Sequence, residues 1–513
     1  MLGKLRLSGR VAFLVGEGAW VCAVLALALG AYCWNREAVF FGGGVYFSDG
    51  DCYARMVRVR MIEEDGLRPI RWHGWENFPA GTVPHTTMPL DALIAGLSAA
   101  LVPFGGRHLE LAGAWVSPIL GLGMVGFLAV WGATARLPWR RVMGFAAAGS
   151  PILAHGFELG RPDHQSLLVL LVAVALVAEV RIWAKGGAGW GYASAAAWGL
   201  ALWVSLFEPG ILLALVLVAR VVAQRVGFAA GPVVIFAGIL ALAFLFDGWR
   251  AAAFHPAFER WALNIGELRS AGLAGVFSWC GWLVAAAPLL LAWRAFRGGG
   301  AVCGMFAFML AVLVALCLWH ARWGYFLALA FALSLPWLLP VFRRAWMAAL
   351  IFTVSLWPVM AEWERMLFPE GEALRARAEN LADAVALREA AEFLRDQPAG
   401  AVLAPWWFSP ATVWWSGKPC VGGTSHQSLP GILASCEFFM ENPDGNAELP
   451  EGVVYLLVYD PDRVEHNSAQ ILGRAAAGET RARALWESSS GVSGFGEIFA
   501  NRFFKVYRAT DAE

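Results

Sequence analysis

Apolar runs of about 17–25 residues recur along residues 1–361, and each is long enough to cross ~30 Å of hydrocarbon as a helix. The chain has 513 residues, of which 59% are hydrophobic and only 15% are charged. A soluble protein carries about 25% charged residues. We therefore expect a multi-pass α-helical membrane protein with about 11–13 transmembrane helices. The eleven clearest runs are 11–33, 109–132, 142–158, 165–184, 190–207, 210–224, 228–246, 272–294, 301–320, 323–341 and 345–361.

Positive charges mark every second loop between these runs, which is the pattern of cytoplasmic loops. The orientation predicts an inner (plasma) membrane protein with a cytoplasmic N-terminus, and with 34–108, 159–164, 247–271 and 362–513 outside. The first run has no A-x-A cleavage site, so no cleaved signal peptide is expected. The marking residues are Lys4, Arg6, Arg10, Arg136, Arg140, Arg141, Arg181, Lys185, Arg220, Arg225, Arg294, Arg297, Arg343 and Arg344.

Two segments depart from the spanning pattern. The run 88–104 is short and has Asp91 near its start, which favours an amphipathic helix lying at the outer interface. Residues 362–513 are more polar and predict a compact extracytoplasmic α/β domain, next to a transmembrane domain over 1–361. Its expected strands are AVLAP, VVYLLVY and EIFANRFFKVYR, and its expected helices LADAVALREAAEFLRD and SAQILGRAAAGETRARALW.

Charge and cysteine content exclude or leave open further features. A net charge of zero argues against a nucleic-acid partner, since phosphate binding needs a basic surface. Cys420 and Cys436 lie in the polar C-terminal part. The sequence leaves open whether these two cysteines form a disulfide or remain free thiols.

Once the chain is oriented, its unusual polar residues all fall on the outer side. An ionised side chain at membrane depth costs about 2.5–3.5 kcal/mol even on the lenient insertion scale, so such residues need partners or a function. Each has a structural alternative: Asp163 as a helix cap, Glu267 as a solvated loop charge, Arg322 as an interfacial anchor. Their occurrence together on one face favours function. The set is Asp49, Asp51, Arg161, Asp163, His164, Glu267, His320 and Arg322.

Five segments, in order, resemble the catalytic subunit of oligosaccharyltransferase in its bacterial and archaeal single-subunit forms. That family has the GT-C membrane glycosyltransferase fold. The resemblance covers nearly the whole chain. It is carried by GDCYARMVRV, GRPDHQSLL, NIGELRS, ARWGYFLALA and APWWFSPATVWWSGKPCVGGTSH.

The resemblance implies transfer of a glycan from a polyprenyl-(pyro)phosphate lipid to an acceptor outside the membrane. The acceptor would be a protein Asn, a hydroxyl or another glycan. Asp51 fits the first motif better than Asp49, while Tyr53 and Arg55 are expected to be packing and helix surface. The implied roles are catalysis by Asp51 and Glu267; donor phosphate binding by Arg322 and His426; Mn²⁺ or Mg²⁺ binding by Asp51, Asp163, His164 and Gln165; and an acceptor pocket with Trp406 and Trp407.

Two positions depart from the family pattern. Gln165 stands where the family has a third metal ligand, an Asp, Glu or His, and its amide oxygen can bind a hard cation but brings no charge to it. Phe408 stands where the family has the Asp that binds the acceptor hydroxyl, and a phenyl ring accepts no such hydrogen bond. Trp406 and Trp407 therefore belong either to a changed acceptor pocket or to apolar packing.

Other functions remain open. A GT-C transferase that uses a polyprenyl-monophosphate sugar would share the same fold. A non-catalytic scaffold homologue would explain both departures as decay. A transporter is disfavoured, since no internal repeat is visible and the polar residues lie at one face instead of at the midplane.

Overall fold

The computed structural model describes residues 2–66, 68–84, 86–223, 229–248, 255–443, 449–476, 478–487 and 494–510, with side chains from residue 16 onward. The predicted loop charge Arg225 and the loop residues 249–254 lie outside this part. So do the side chains of Lys4, Arg6 and Arg10.

A helix occupies each of the eleven predicted runs. Six described helices are long and apolar enough to cross a membrane, or seven if one bent pair counts as a single span. The helical membrane class is confirmed, while the full helix number remains a prediction. In residues 1–369 the helices are Leu2–Tyr32, Arg36–Val39, Gly50–Glu64, Met88–Leu101, His108–Thr134, Arg140–Gly149, Pro151–Gly156, His164–Trp183, Gly189–Val204, Phe207–Val222, Ala230–Asp247, Phe258–Ala262, Gly272–Cys280, Leu283–Arg294, Ala301–Trp319, Gly324–Leu338, Ala345–Ser355 and Trp357–Leu367.

Two predicted spans are broken for identifiable reasons. The run 142–158 is interrupted at Ser150, whose ψ of 122° is extended because a residue before proline avoids the helical region. The helix Gly272–Cys280 meets Leu283–Gly299 at 76°. At the bend, Gly281 has φ +81°, and a Cβ there would lie 2.4 Å from the carbonyl oxygen of Ser355. Only glycine fits both requirements.

Some basic residues that marked predicted loops are paired inside helices. Arg220 lies in Phe207–Val222, is only 8% exposed and binds Glu179 at 2.6 Å. Arg140 and Arg141 both bind Glu17, at 2.8 and 3.0 Å. Arg220, in the last turn of its helix near the end of the predicted run 210–224, is therefore compensated by a buried carboxylate, and the loop orientation that it marks stays a prediction.

The chain forms two compact units. The first, called here the helical unit, consists of Met1–Glu37, Ala114–Leu245 and Glu267–Pro369. The second, the mixed unit, consists of Ala38–Gly113, Phe246–Gly266 and Glu370–Glu513. The mixed unit thus combines the C-terminal part with most of the predicted external loop 34–108 and part of the predicted external loop 247–271.

The mixed unit contains a hairpin, β1 (Phe40–Phe41) with β2 (Gly44–Val45), and a four-stranded sheet. The sheet has the order β3-β4-β6-β5, with β3 parallel to β4 and the other pairs antiparallel. Its strands are β3 (Ala401–Leu403), β4 (Val453–Val458), β5 (Phe495–Ala500) and β6 (Lys505–Ala509), and the helices of residues 370–513 are Gly371–Arg395, Ser409–Ser416, Leu429–Met440, Pro461–Leu472 and Arg481–Glu487.

Three details of the C-terminal part differ from expectation. The last predicted strand is a hairpin, because the Asn501 side chain accepts the backbone N–H groups of Phe503 and Phe504 and turns the chain. The single helix expected around 468–486 ends at Gly473, which adopts φ +71° as a left-handed cap. Cys420 and Cys436 are buried free thiols, so the disulfide alternative falls.

Candidate functional site

The second acidic motif forms the start of a helix in the helical unit. Asp163 precedes His164–Trp183 and caps it, accepting the backbone N–H of His164 at 2.6 Å. The same carboxylate lies 2.7 Å from Nδ1 of His164. Asp163 is therefore the helix cap that the structural alternative predicted. Capping engages one oxygen and leaves its charge within the site.

Three carboxylates lie around the guanidinium of Arg161, beside this cap. Arg161 is 7% exposed, and its guanidinium nitrogens lie 3.7 Å from a carboxylate oxygen of Glu158, 3.8 Å from one of Asp163 and 3.4 Å from one of Glu267. The surplus of negative charge in a partly buried place suits a cation, since Coulomb energies grow as water is excluded. The second and third motifs of the sequence are thus brought together by Arg161.

Glu267 lies in the short 3₁₀ turn Gly266–Leu268, and its side chain is 29% exposed. Its Oε1 receives a guanidinium N–H of Arg161 at 3.4 Å and the hydroxyl of Tyr325 at 3.4 Å. Burial raises the pKa of Glu267 above its usual value, and the nearby Asp163 acts in the same direction. Arg161, Arg322 and His164 oppose this shift of the pKa.

Arg322, the predicted phosphate ligand, forms an ion pair with Glu208. Glu208 is fully buried, and its other oxygen accepts the hydroxyl of Ser205 at 2.6 Å. Sequence reasoning missed Glu208, although an ionisable residue in the apolar stretch SLFEPG is itself a signal for a partner. The pair fixes one edge of the guanidinium, and the Arg322 side chain remains 20% exposed.

Asp51 lies in the mixed unit, in the first turn of Gly50–Glu64, and is exposed. Asp49 is the cap of this helix and accepts the N–H of Cys52 at 2.9 Å. The neighbouring Gly50 packs closely: a Cβ there would lie 2.5 Å from Cγ2 of Thr424 and 3.2 Å from the carbonyl oxygen of Trp407. The structure thus brings the Asp51 turn beside Trp407.

The same helix carries a buried ion cluster that the sequence did not predict. Arg55, expected on the helix surface, is 1% exposed and binds Asp91 at 2.7 Å. Arg58 binds the same carboxylate at 2.7 Å. Asp91 belongs to Met88–Leu101, so the helix expected there exists. Asp91 is 2% exposed because two guanidiniums compensate its charge, and the interfacial position of the helix stays a prediction.

His426 follows a glycine-rich segment of the mixed unit and is partly buried. Its ring lies edge-on to Phe258 with centroids 6.2 Å apart, and Nε2 is 3.1 Å from the Gln427 amide. Burial lowers the pKa of His426. The ring is therefore neutral near pH 7, able to donate one hydrogen bond but not to supply a positive charge.

The two tryptophans occupy different environments. Trp406 is 6% exposed and packs with Trp261, Leu429 and Ile432 in an apolar cluster. Trp407 is less buried and lies at the border of that cluster. Phe408 packs edge-on against Tyr459, with centroids 4.9 Å apart. An aromatic contact thus replaces the carboxylate that the resembled motif would place here.

No three His, Cys, Asp or Glu side chains within the described ranges are grouped so as to hold a metal by themselves. The atoms of the helical unit nevertheless fit part of a hard-cation site. Gln165 is fully buried, and neither its amide nitrogen nor its amide oxygen has a partner among the described residues. An unsatisfied buried polar group costs about 1–3 kcal/mol. If the Gln165 amide oxygen Oε1 bound a cation beside Asp163, that oxygen would have a partner and the cost would be removed.

Comparison with solved structures identifies the architecture. The oligosaccharyltransferase AglB of Archaeoglobus fulgidus, in complex with an inhibitory peptide and a dolichol-phosphate, matches with TM-score 0.66 and 12% identity, over 90% of this chain and 71% of that one. The same protein tethered to an acceptor peptide with an NVT sequon matches with TM-score 0.64 and 12% identity, over 89% and 71%. The fold is that of an oligosaccharyltransferase catalytic subunit.

The solved structure of a different protein also matches. ArnT of Cupriavidus metallidurans in the apo state has TM-score 0.51 and 14% identity, and the match covers 97% of this chain and 98% of ArnT. Both neighbours are GT-C membrane proteins. No family model matches the sequence, and no curated protein matches it. The predicted resemblance is therefore confirmed at the level of the fold, and the residue roles remain predictions.

Proposed function

We propose that this chain is a GT-C glycosyltransferase that moves a glycan from a polyprenyl-linked phosphate or pyrophosphate donor to an acceptor on the extracytoplasmic side. The observation that carries the proposal is the gathering of Glu158, Asp163 and Glu267 around Arg161 in a chain with the oligosaccharyltransferase fold. AglB, captured with a dolichol-phosphate, supports a lipid-linked donor.

Each residue type suits its proposed role. Arg322 offers a planar fork of donors for the donor phosphates, where negative charge develops as the glycan leaves. His426 would add a neutral N–H donor. Glu267 would accept a hydrogen bond from the attacking group, which increases the nucleophilicity of that group. The resemblance assigns the same role to Asp51. Trp407, beside the Asp51 turn, is the better-placed aromatic residue for the acceptor, because Trp406 lies in the apolar core.

A divalent cation, Mn²⁺ or Mg²⁺, is the proposed cofactor. Asp163 and Gln165, with His164 as an alternative ligand, are its candidate ligands in the helical unit, and the resemblance adds Asp51. Bound there, the cation would stabilise the negative charge of the leaving phosphate. AglB solved with Zn and sulfate supports metal binding by this architecture.

The neighbours and the departure at Phe408 both bear on the class of acceptor. AglB tethered to an NVT peptide supports a protein Asn as acceptor. Phe408 cannot bind a sequon hydroxyl, which favours an acceptor chosen without that contact, whether protein or glycan. The second candidate is a GT-C transferase with a polyprenyl-monophosphate sugar, and the ArnT match, nearly equal in length, supports GT-C glycan transfer without distinguishing the two donors.

The proposal is tested with purified protein, radiolabelled lipid-linked oligosaccharide and a peptide containing Asn-x-Thr. We expect glycopeptide, or glycan released to water if the acceptor differs. Turnover only with a polyprenyl-monophosphate sugar would support the second candidate. Absence of turnover with every lipid-linked donor would contradict both and favour a scaffold.

Metal removal gives the second prediction. EDTA should abolish transfer, and Mn²⁺ or Mg²⁺ should restore it, since the charge surplus around Arg161 attracts a cation and Gln165 offers an unpartnered oxygen. Direct Mn²⁺ binding is measured by the electron paramagnetic resonance of the free ion. Binding that is equal in wild type and Asp163→Asn would contradict the ligand assignment.

Replacement of Glu208 tests the phosphate role of Arg322. Glu208→Gln should raise the KM for the lipid donor about tenfold, because loss of a hydrogen bond to a charged group weakens positioning by about 1.5–3 kcal/mol. Glu179→Gln is the matched control, since Glu179 also forms a buried pair with an arginine, Arg220, at 2.6 Å. If both variants change donor KM equally, Arg322 has no special donor role.

A further inference from the structure

Four side chains of the helical unit form a closed ring of hydrogen bonds around one oxygen of Glu267. Arg161 Nη1 lies 3.3 Å from Nε2 of His155, and His155 Nδ1 lies 2.9 Å from the hydroxyl of Tyr325. The Tyr325 hydroxyl and Arg161 Nη2 each lie 3.4 Å from the same atom, Glu267 Oε1. The ring joins the helices Pro151–Gly156 and Gly324–Leu338 to the turn that carries Glu267.

The direction of every hydrogen in this ring follows from donor chemistry. Arginine has donors only, so Nε2 of His155 must accept. A neutral His155 then carries its proton on Nδ1 and donates it to the oxygen of Tyr325. The Tyr325 hydroxyl is thereby left with its own hydrogen to donate to Glu267. Both arms of the ring thus end as donors on Oε1.

Packing restricts the position of the tyrosine ring. Tyr325 is 1% exposed and stacks on His155 with an interplanar angle of 15°. Gly156, next to His155, lies against this ring: a Cβ there would be 3.0 Å from Cε1 of Tyr325 and 3.1 Å from Cδ1. Such a distance is tighter than ordinary van der Waals contact, so the glycine keeps room for the hydroxyl to point at Glu267.

We infer that Tyr325 and His155 are positioning residues for the proposed transfer reaction. They hold the Glu267 carboxylate by Oε1 so that Oε2, outside the ring, accepts the hydrogen bond of the attacking group. This inference rests on the proposed function. A carboxylate held at one oxygen loses less freedom when the acceptor arrives, so its second oxygen meets the acceptor already oriented.

The charged and titratable groups around Glu267 do not replace the ring. Arg161 contributes through charge and direct contact, Tyr325 contributes through direct contact alone, and the others act only through space. A group that acts only through space cannot fix which oxygen of Glu267 faces the acceptor, because a Coulomb interaction has little directionality. The through-space groups are Asp163, His164 and Arg322.

The decisive test is a double-mutant cycle. Tyr325→Phe should lower kcat about tenfold, which corresponds to 1.4 kcal/mol, with donor KM unchanged. Glu267→Asp keeps a carboxylate but is one methylene shorter and does not reach the ring. In that background Tyr325→Phe should have no further effect on kcat. Equal effects in both backgrounds would mean that Tyr325 acts independently of Glu267 and would overturn the inference.

A matched control separates positioning from general stability. Tyr455→Phe removes a buried hydroxyl that donates to the carbonyl oxygen of Pro398 at 2.9 Å in the mixed unit. Both tyrosine variants should lower the unfolding temperature by a similar small amount. Only Tyr325→Phe should lower kcat. A tenfold loss of kcat in both variants would assign the effect to stability and overturn the inference.

His155 gives an independent readout. The amide nitrogen of Asn can occupy the place of Nδ1, and that of Gln the place of Nε2. His155→Asn keeps a donor for Tyr325 and should retain severalfold more activity than His155→Gln. The reverse order would contradict the direction assigned to the ring. Failure of wild type to turn over any lipid-linked donor would reject the proposed function and this inference together, whereas turnover unaffected by Tyr325→Phe would reject the inference alone.

Discussion

Glu267→Gln is expected to lower kcat about 10²–10⁴-fold while the folded structure persists, the range typical for loss of a positioned acid or base group. The amide has nearly the shape of the carboxylate, and its oxygen can still accept from Tyr325 and Arg161. It has no charge and only one acceptor atom. With the oxygen held at the Oε1 position, an NH₂ group would face the acceptor in place of Oε2, and it cannot receive the acceptor's hydrogen.

The measurement compares Glu267→Gln with Glu158→Gln at saturating donor and saturating Mn²⁺, because Glu158 belongs to the negative charge that attracts the cation. Glu158 also lies beside Arg161, at 3.7 Å, and is 5% exposed, but the proposal gives it no contact with the acceptor. The control should retain most of the wild-type kcat. Comparable losses in both variants would mean that the site needs only the summed negative charge around Arg161, against a specific role for Glu267.

The raised pKa of Glu267 also predicts a pH dependence. The proposed role requires the ionised carboxylate, which is lost as the pH falls through the pKa of the folded protein. Because burial raises that pKa, the acid limb of kcat should lie at higher pH than for an ordinary solvated Glu. A profile that is flat down to the usual titration range of Glu would contradict this role.

The sequence predicted the elements of this fold better than the partners within the site. The length of the apolar runs was enough to predict helix in all eleven of them. The backbone hydrogen bonds of a helix are made within the helix itself, so the prediction needs no knowledge of the neighbouring segments. The Asp163 cap could also be predicted from the sequence, since a cap involves neighbouring residues. Arg161 and Glu267 are 106 positions apart, and His155 and Tyr325 are 170 apart. Pairings at such separations arise from tertiary packing and leave no local pattern.

The burial of charged residues was harder to predict than the positions of the helices. Asp91, near the start of the run 88–104, favoured an amphipathic helix at the outer interface, and the sequence indicated no partner for its carboxylate. The structure instead buries it against two arginines 33 and 36 positions earlier in the chain. Glu208 was missed for the same reason. In both cases a buried charge is compensated by a residue from a distant part of the chain, and the sequence around that charge does not reveal its partner.

Asp91→Ala should lower the free energy of unfolding by about 3–5 kcal/mol, because removal of one partner from a buried ion cluster leaves the other charges uncompensated. Arg55 and Arg58 are 1% and 2% exposed and cannot reach bulk water without repacking. Their helix carries Asp51 in its first turn, so the same change should disorder that turn and lower transfer activity. Denaturant unfolding in detergent measures the first effect.

The control is Asp462→Ala, which removes a carboxylate that also binds an arginine, Arg483, at 2.6 Å. Asp462 is 80% exposed, and water replaces its ion pair, so little change in stability is expected. Asp91→Asn should lie between the two, since the amide keeps hydrogen-bond acceptance without charge. If Asp91→Ala is as mild as Asp462→Ala, then the arginines find other partners, and the Asp51 helix is held by apolar packing instead of by the Asp91 cluster.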